Sequence, residues 1–132
     1  KELGLESSVV FTGYIPEEDK PLLYNAASIS VTPSIYEGVG LPPVEAMACG
    51  IPVVSSNTSS LPEMVGDGGL LLAPNDTDGW VTTLVQLMRD AALRRDWGAR
   101  GRKHVRRFTW ERTARETIKV YETVYERSRK QV

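Results

Sequence analysis

Two carboxylates, Glu37 and Glu45, stand eight residues apart around the run Gly38-Val39-Gly40-Leu41-Pro42-Pro43. Gly38 and Gly40 carry no side chain where a ligand needs close backbone approach, and both admit positive φ. The amides of Gly38, Val39, Gly40 and Leu41 can therefore point at an anion. Pro42 and Pro43 have no N–H, so a helix opening here lacks two of the free donors of its first turn. Any phosphate must lean on the loop amides and the helix dipole. A Walker loop is excluded, because no Gly-Lys-Ser/Thr follows. Glu45 falls in the first turn of a helix opening at Pro42. It is either a helix-start glutamate that suits the dipole, or a carboxylate accepting hydrogen bonds from a vicinal diol, as an acidic residue does for ribose in dinucleotide sites. Bonds to a charged acceptor contribute roughly 1.5–3 kcal/mol each. Glu37 is either a solvated loop glutamate or a carboxylate that holds sugar hydroxyls or steadies positive charge at an anomeric carbon. A glycosidase would need its pair about 5 Å apart, or roughly 6.5–9.5 Å, flanking one bond. The amides between these two glutamates are superfluous for hydrolysis and useful for a diphosphate.

The elements that must position this stretch are readable from periodicity and punctuation. Residues 9–12 (Val-Val-Phe-Thr) read as a short buried strand stopped by Gly13. Pro16 and Glu17-Glu18-Asp19 open a helix whose apolar face is Leu22, Leu23, Ala26 and Ala27. Residues 29–32 form the next strand, and the turn follows it. Gly50 closes the helix as a C-cap would, and residues 51–55 are a third strand. A polar loop over residues 56–60 leads to a short helix started by Pro62 and Glu63. Gly68-Gly69 ends it before a fourth strand, Leu70-Leu71-Leu72. Three helices finish the chain. Asn75 or Asp76 caps the first, striped by Trp80, Leu84, Leu87 and Met88. The second carries Leu93, Trp97, Gly101, Val105 and Phe108. Thr109 caps the third, where Trp110, Ala114, Ile118, Tyr121 and Tyr125 recur every three or four residues. The three tryptophans read as marks of helix–helix packing. Strands alternating with helices predict an α/β chain with a parallel sheet covered on both faces. In such sheets ligands bind beyond the carboxyl ends of the strands, where residues 33–45 fall.

At 132 residues the chain has the length of one domain. No run of about 18 apolar residues exists. The single Cys49 cannot form an internal disulfide, which fits a reducing cytosol, and one cysteine with one histidine argues against a zinc site. The start at Lys1, without Met or secretory signal, reads as a piece of something longer. Charge is uneven. Eight basic residues lie between Arg89 and Arg107 against Asp90 and Asp96, which makes that segment +6 and, with a total of −1, the remainder −7. A solvated helical face accounts for them, because apolar residues interleave at core spacing; a patch for anionic lipid or nucleic acid is the alternative. His104 reads as solvent-facing on that helix, and Cys49 as a small packing residue.

Glu37-Gly38-Val39-Gly40-Leu41-Pro42 through Glu45-Ala46-Met47-Ala48-Cys49-Gly50-Ile51-Pro52-Val53-Val54 closely resembles the Glu-x7-Glu signature of family-four (group 1) glycosyltransferases of the GT-B fold. The likeness continues in Phe11-Thr12-Gly13-Tyr14-Ile15-Pro16, in Leu61-Pro62-Glu63-Met64-Val65 with Gly68-Gly69, and in Phe108-Thr109-Trp110-Glu111. The resemblance implies a Rossmann-like half domain of about four strands with three C-terminal helices, residues 1–132 being a single, truncated donor-binding domain. It implies retaining transfer of a sugar from a nucleotide-diphosphate donor, of UDP or GDP type, in the cytoplasm or at a membrane. Carried over, Glu37 contacts the donor sugar as the catalytic carboxylate and Glu45 grips the ribose. The amides of Gly38, Val39, Gly40 and Leu41 meet sugar and diphosphate, and Tyr14 and Ile15 lie near the base. No metal or other cofactor is expected, and no nucleic acid partner. Ser59-Ser60 departs from the family, whose members often have glycines there; the expected effect is on the loop rather than the chemistry.

The resemblance covers only the later part of the family's second domain. The acceptor domain, which would take a glycan, lipid or small molecule, and the basic residues that neutralise the diphosphate are expected upstream. The basic residues of 89–107 lie on a late helix and are not assumed to replace them. Alone, the chain is expected to be inactive. A sheet ordered 3-2-1-4-5-6 also places two strands between residues 9–12 and 29–32. Direct pairing of those two segments, a swapped dimer, or strands from chain beyond this sequence are the expected outcomes, with self-association through open edges. A non-catalytic nucleotide-binding or scaffold module is the reading from another class.

Overall fold

The computed structural model describes residues 3–129. Three short parallel strands form the sheet: β1 (Ser30–Thr32), β2 (Val53–Ser56) and β3 (Leu70–Leu72), in the order β1-β2-β3. Ser30 sits opposite Val53, and Val54 opposite Leu70. Around them lie α1 (Lys20–Ala26), α2 (Leu41–Ala48), α3 (Leu61–Val65), α4 (Thr77–Arg89), α5 (Ala91–Val105) and α6 (Trp110–Arg129). A 3-10 turn (Gly66–Gly68) follows α3.

The predicted two-sided sheet is borne out, and β2 shows it within one strand. Successive side chains of a strand point to opposite faces. Val53 packs with Ala46, Met47 and Val65 on the α2–α3 side, whereas Val54 packs with Trp80 and Leu87 on the α4 side. Leu71 joins the first group, and Leu70 and Leu72 the second. All four residues of β2 are buried.

The helix ends expected at Gly50, Asp76 and Thr109 are borne out, whereas α1 opens only at Lys20, with no acidic residue in its first turn. The Asp76 carboxylate accepts from the Gly79 amide (3.0 Å) and starts α4. Asp90 accepts from Ala92 and Leu93 (2.8 and 2.9 Å) and starts α5. Thr109 Oγ1 accepts from the Arg112 amide at the head of α6 (3.1 Å). At the end of α2, Gly50 takes φ 78°. Its amide donates to Met47 O (2.9 Å) and that of Ile51 to Ala46 O (3.0 Å), a Schellman closure.

Four expectations fail. Residues 9–12 form no strand; direct pairing with β1 does not occur, and Val10 and Phe11 are 83% and 94% exposed. A strand exists through its ladder, and among the described residues no strand lies beside these. The sheet therefore has three strands rather than about four, and the outer edge of β1 carries no strand among the described residues. Secondly, the apolar faces of α1 and α6 are not core: Leu22 and Leu23 are exposed, and α6 buries none of its residues. Trp110, 82% exposed, is no packing mark, and Met88 on α4 also faces out. Thirdly, His104 does not face solvent. Its Nε2–H donates to Met64 O (3.0 Å), and its ring lies edge-on to Phe108 and against Gly66 and Gly68.

The last concerns the basic segment, which is more than a solvated face. Arg94 donates to Leu87 O and Met88 O at the end of α4 (2.5 and 2.9 Å). Arg102 donates to Cys49 O at the end of α2 (2.9 Å), and Arg107 to Glu63 O on α3 (2.9 Å). Each guanidinium meets carbonyls that a helix terminus leaves unpaired, at its negative pole. These three arginines are structural fasteners.

Candidate functional site

Because the strands are parallel, the turn after β1 (residues 33–40) and the loop after β2 (residues 57–60) emerge at the same, carboxyl edge of the sheet. The first leads into α2 and the second into α3. The two loops are joined directly. Thr58 Oγ1 donates to Ser34 O (3.3 Å), Ser59 Oγ and Ser60 Oγ donate to Glu37 O (2.6 and 3.1 Å), and the Glu37 amide donates to Ser59 Oγ (3.3 Å).

Glu37 is half-buried rather than free in solvent, and one carboxylate oxygen accepts from Ser34 Oγ (2.7 Å). Gly40 adopts φ 85° as the residue preceding α2, and a Cβ there would lie 2.9 Å from Leu61 Cδ2. Glycine is needed at that point for both backbone and space. At Gly38 a Cβ would meet nothing within 4 Å and φ is not positive, so nothing in the fold itself demands that glycine.

α2 begins at Leu41, one residue earlier than the prolines indicate, because Gly40 turns the chain in the left-handed region. Glu45 is therefore the fifth residue of the helix, past its first turn, where no acidic residue lies. Dipole forces fall off within that turn, so the helix-start account of Glu45 loses its basis. Its carboxylate is half-buried, and Oε2 accepts from Tyr24 Oη (3.0 Å) on α1. Burial first, and that hydrogen bond second, hold the Tyr24 phenol well above its ordinary range. Tyr24 thus stays a donor, leaving Oε1 as an acceptor.

Glu45 stands in the wall between two cavities. One, about 300 Å³, is lined by Glu17, Lys20, Tyr24 and Cys49 among others. The second, about 470 Å³, is lined by Val39, Leu41, Val44, Met64, Phe108 and Trp110 among others. The Lys20 ammonium is held above its ordinary range chiefly by its bond to Glu17, with a contribution from the charge of Glu45. Both volumes fall at the lower end of the range for ligand pockets.

The predicted residues are only partly gathered. Glu45, Val39 and Leu41 share the larger cavity; Glu37, Gly38 and Gly40 lie on the turn leading to it. Tyr14 is 85% exposed ahead of α1, Ile15 is half-buried, and neither lines the cavities that Glu45 borders. Tyr24 and the Ser59–Ser60 contacts went unforeseen. Tyr24 lies 21 residues before Glu45, and no local spacing signals such a pair.

The sequence pattern of the family described as "Glycosyl transferases group 1" matches residues 1–104. The chain is 47% identical over 116 residues to O-antigen chain mannosyltransferase B of Escherichia coli, covering 88% of this chain and 30% of that protein. It is 38% identical over 125 residues to MMP alpha-(1->4)-mannosyltransferase of Mycolicibacterium hassiacum, covering 92% of this chain and 30% of that protein. Among solved structures, sucrose-phosphate synthase from Thermosynechococcus elongatus superposes with a TM-score of 0.84 at 34% identity, over 95% of this chain and 32% of that one. The chain thus spans about a third of the length of these proteins.

Proposed function

From the premise that the chain belongs to the group 1 glycosyl transferases of GT-B fold, we propose that it is the donor-binding part of a retaining glycosyltransferase. Its ligand is a nucleoside-diphosphate sugar. Relatives named as mannosyltransferases make a mannosyl donor the first to test. Glu45 Oε1 accepts from the ribose while Tyr24 occupies Oε2. The amides of Gly38 to Leu41 face the diphosphate and sugar, Tyr14 and Ile15 border the base, and the Glu37 carboxylate sits by the donor sugar.

As the bond to the anomeric carbon breaks, positive charge grows on the sugar and negative charge on the departing diphosphate. A carboxylate on one side and oriented amides on the other lower the energy of that separation. This reading assigns the diphosphate's charge to backbone donors rather than to a metal ion. The acceptor, a glycan, lipid or small molecule, is bound by another part of a longer cytoplasmic or membrane-associated protein, and the chain alone does not turn over.

The observation that carries the reading is Glu45. It is half-buried past the reach of the dipole, oriented by Tyr24, and set between two cavities. Titration calorimetry with GDP-mannose and UDP-glucose tests it. Saturable heat with one donor, lost in Glu45→Ala, is the expected result. No heat with any nucleotide sugar overturns it in favour of a scaffold module.

A further inference from the structure

Two local rules of chain chemistry are broken side by side, three and four residues after β2 ends. Ser59 holds φ 57°, the sole non-glycine residue at positive φ among those described. A side chain there crowds the following carbonyl and costs free energy. Ser60 precedes α3 as its N-cap, a position where serine ordinarily accepts from an amide of its own helix. Its side chain makes no such cap bond. Both hydroxyls turn instead to one peptide oxygen, Glu37 O, and Ser59 Oγ also receives the Glu37 amide. Local choices that contradict the local structure concentrate where another requirement overrides them.

The object they grip is the turn that carries Glu37. Thr58 holds its start through Ser34 O, and Ser34 Oγ in turn donates to the Glu37 carboxylate. Residues 58–60 thus fasten the turn at its start and at its middle, and Ser34 aims the side chain. Without this clamp the turn is an exposed loop with a glycine on each side of Val39, and its carboxylate would sample many positions.

We propose that Ser59 and Ser60 are positioning residues for the sugar end of the site. They hold the Glu37 peptide, and with it the carboxylate and the first amide of the loop, in the geometry that a donor sugar requires. The inference rests on the donor-binding reading above and adds to it the residues that pre-order its sugar-contacting half.

The test compares a nucleoside diphosphate with its sugar conjugate, GDP against GDP-mannose or UDP against UDP-glucose, in the wild-type chain, Ser60→Ala, Ser60→Thr and Ser59→Ala/Ser60→Ala. The measured quantity is the ratio of the two affinities. Because Ser60 does not cap α3, its truncation leaves the helix start intact. Ser60→Ala is expected to lower the ratio roughly fivefold, the value of about one neutral hydrogen bond. The double variant is expected to lower it further, and Ser60→Thr to restore it. Affinity for the diphosphate alone, whose ribose is held through Glu45, falls less than that for the conjugate, and its retention reports that the variants are folded. Faster hydrogen exchange at the Glu37 and Gly38 amides should accompany the loss. An unchanged ratio in the double variant overturns the positioning role while leaving donor binding standing. Wild-type chain that binds neither diphosphate nor conjugate overturns both.

Discussion

Replacing Gly98 by alanine sets two effects against each other, and the structure decides which wins. Gly98 lies mid-way along α5, where alanine is the better helix former by about 1 kcal/mol. On propensity alone Gly98→Ala should stabilise. A Cβ at this position, however, would lie 2.1 Å from Gly50 O and 3.1 Å from Gly50 C. Carbon–oxygen contacts close at about 3.3 Å, so α5 or Gly50 must move by roughly 1.2 Å. Neither side is a flexible side-chain tip. Gly50 is fixed by the Schellman bonds that end α2, and Arg102, one turn along α5, is bonded to Cys49 O. Overpacking against a backbone that cannot yield costs up to about 3 kcal/mol. The net expectation is a loss of about 2 kcal/mol, or a fall in Tm of roughly 8 °C for a domain of this size. Urea unfolding followed by far-UV circular dichroism measures it. Unchanged or raised stability would mean that α5 slides freely on α2, and would refute the close contact as the fastening of the helix that bears Glu45.

Two further outcomes follow from named contacts. Tyr24→Phe removes the donor to Glu45 Oε2 and frees the carboxylate to rotate; calorimetry should show nucleotide affinity falling roughly three- to tenfold. Spectrophotometric titration of the same pair should show one tyrosinate component, displaced above the ordinary phenol range, that disappears in the variant. The sign is that of a raised acid: the stability that Tyr24 contributes is complete below about pH 10 and is lost as pH climbs towards its folded value. Arg102→Gln removes the cation from the C-terminal pole of α2, and thermal unfolding should show a loss of about 1 kcal/mol, part of which disappears in salt because the charge–dipole contribution of an exposed guanidinium is screened.

Much of the architecture was legible because it is written locally. Alternation, glycine and proline punctuation, and capping residues place three strands and all six helices, and Gly50, Asp76 and Thr109 act at the termini where their chemistry puts them. The turn between Glu37 and Glu45 was legible for the same reason. What sequence spacing cannot convey is the other half of each contact. The stripe of α6 is amphipathic, yet no described residue packs a core against it. Residues 9–12 are as apolar as a strand, but a ladder needs a second strand. The arginines of residues 89–107 read as surface charge until the helix ends they close, 44 and 53 residues away for Arg107 and Arg102, are seen beneath them. Glu45 moved from the first turn to the second because a backbone angle at Gly40 set the start of α2.

The hold of α5 on α2 also bears on how a chain emerging from a ribosome acquires its site. Cys49 and the arginine that closes its carbonyl are 53 residues apart. At synthesis rates of about 5–20 residues per second, roughly 3–10 s separate their appearance. During that interval the residues of the Glu37–Glu45 turn are already made, but α2 has only its own last-turn bonds to close it, and Met47 lacks the cover that Gly101 and Val105 later give it. The turn is made early and anchored late. A pause in translation between these points would leave the most apolar helix of the site bare for as long as the pause lasts.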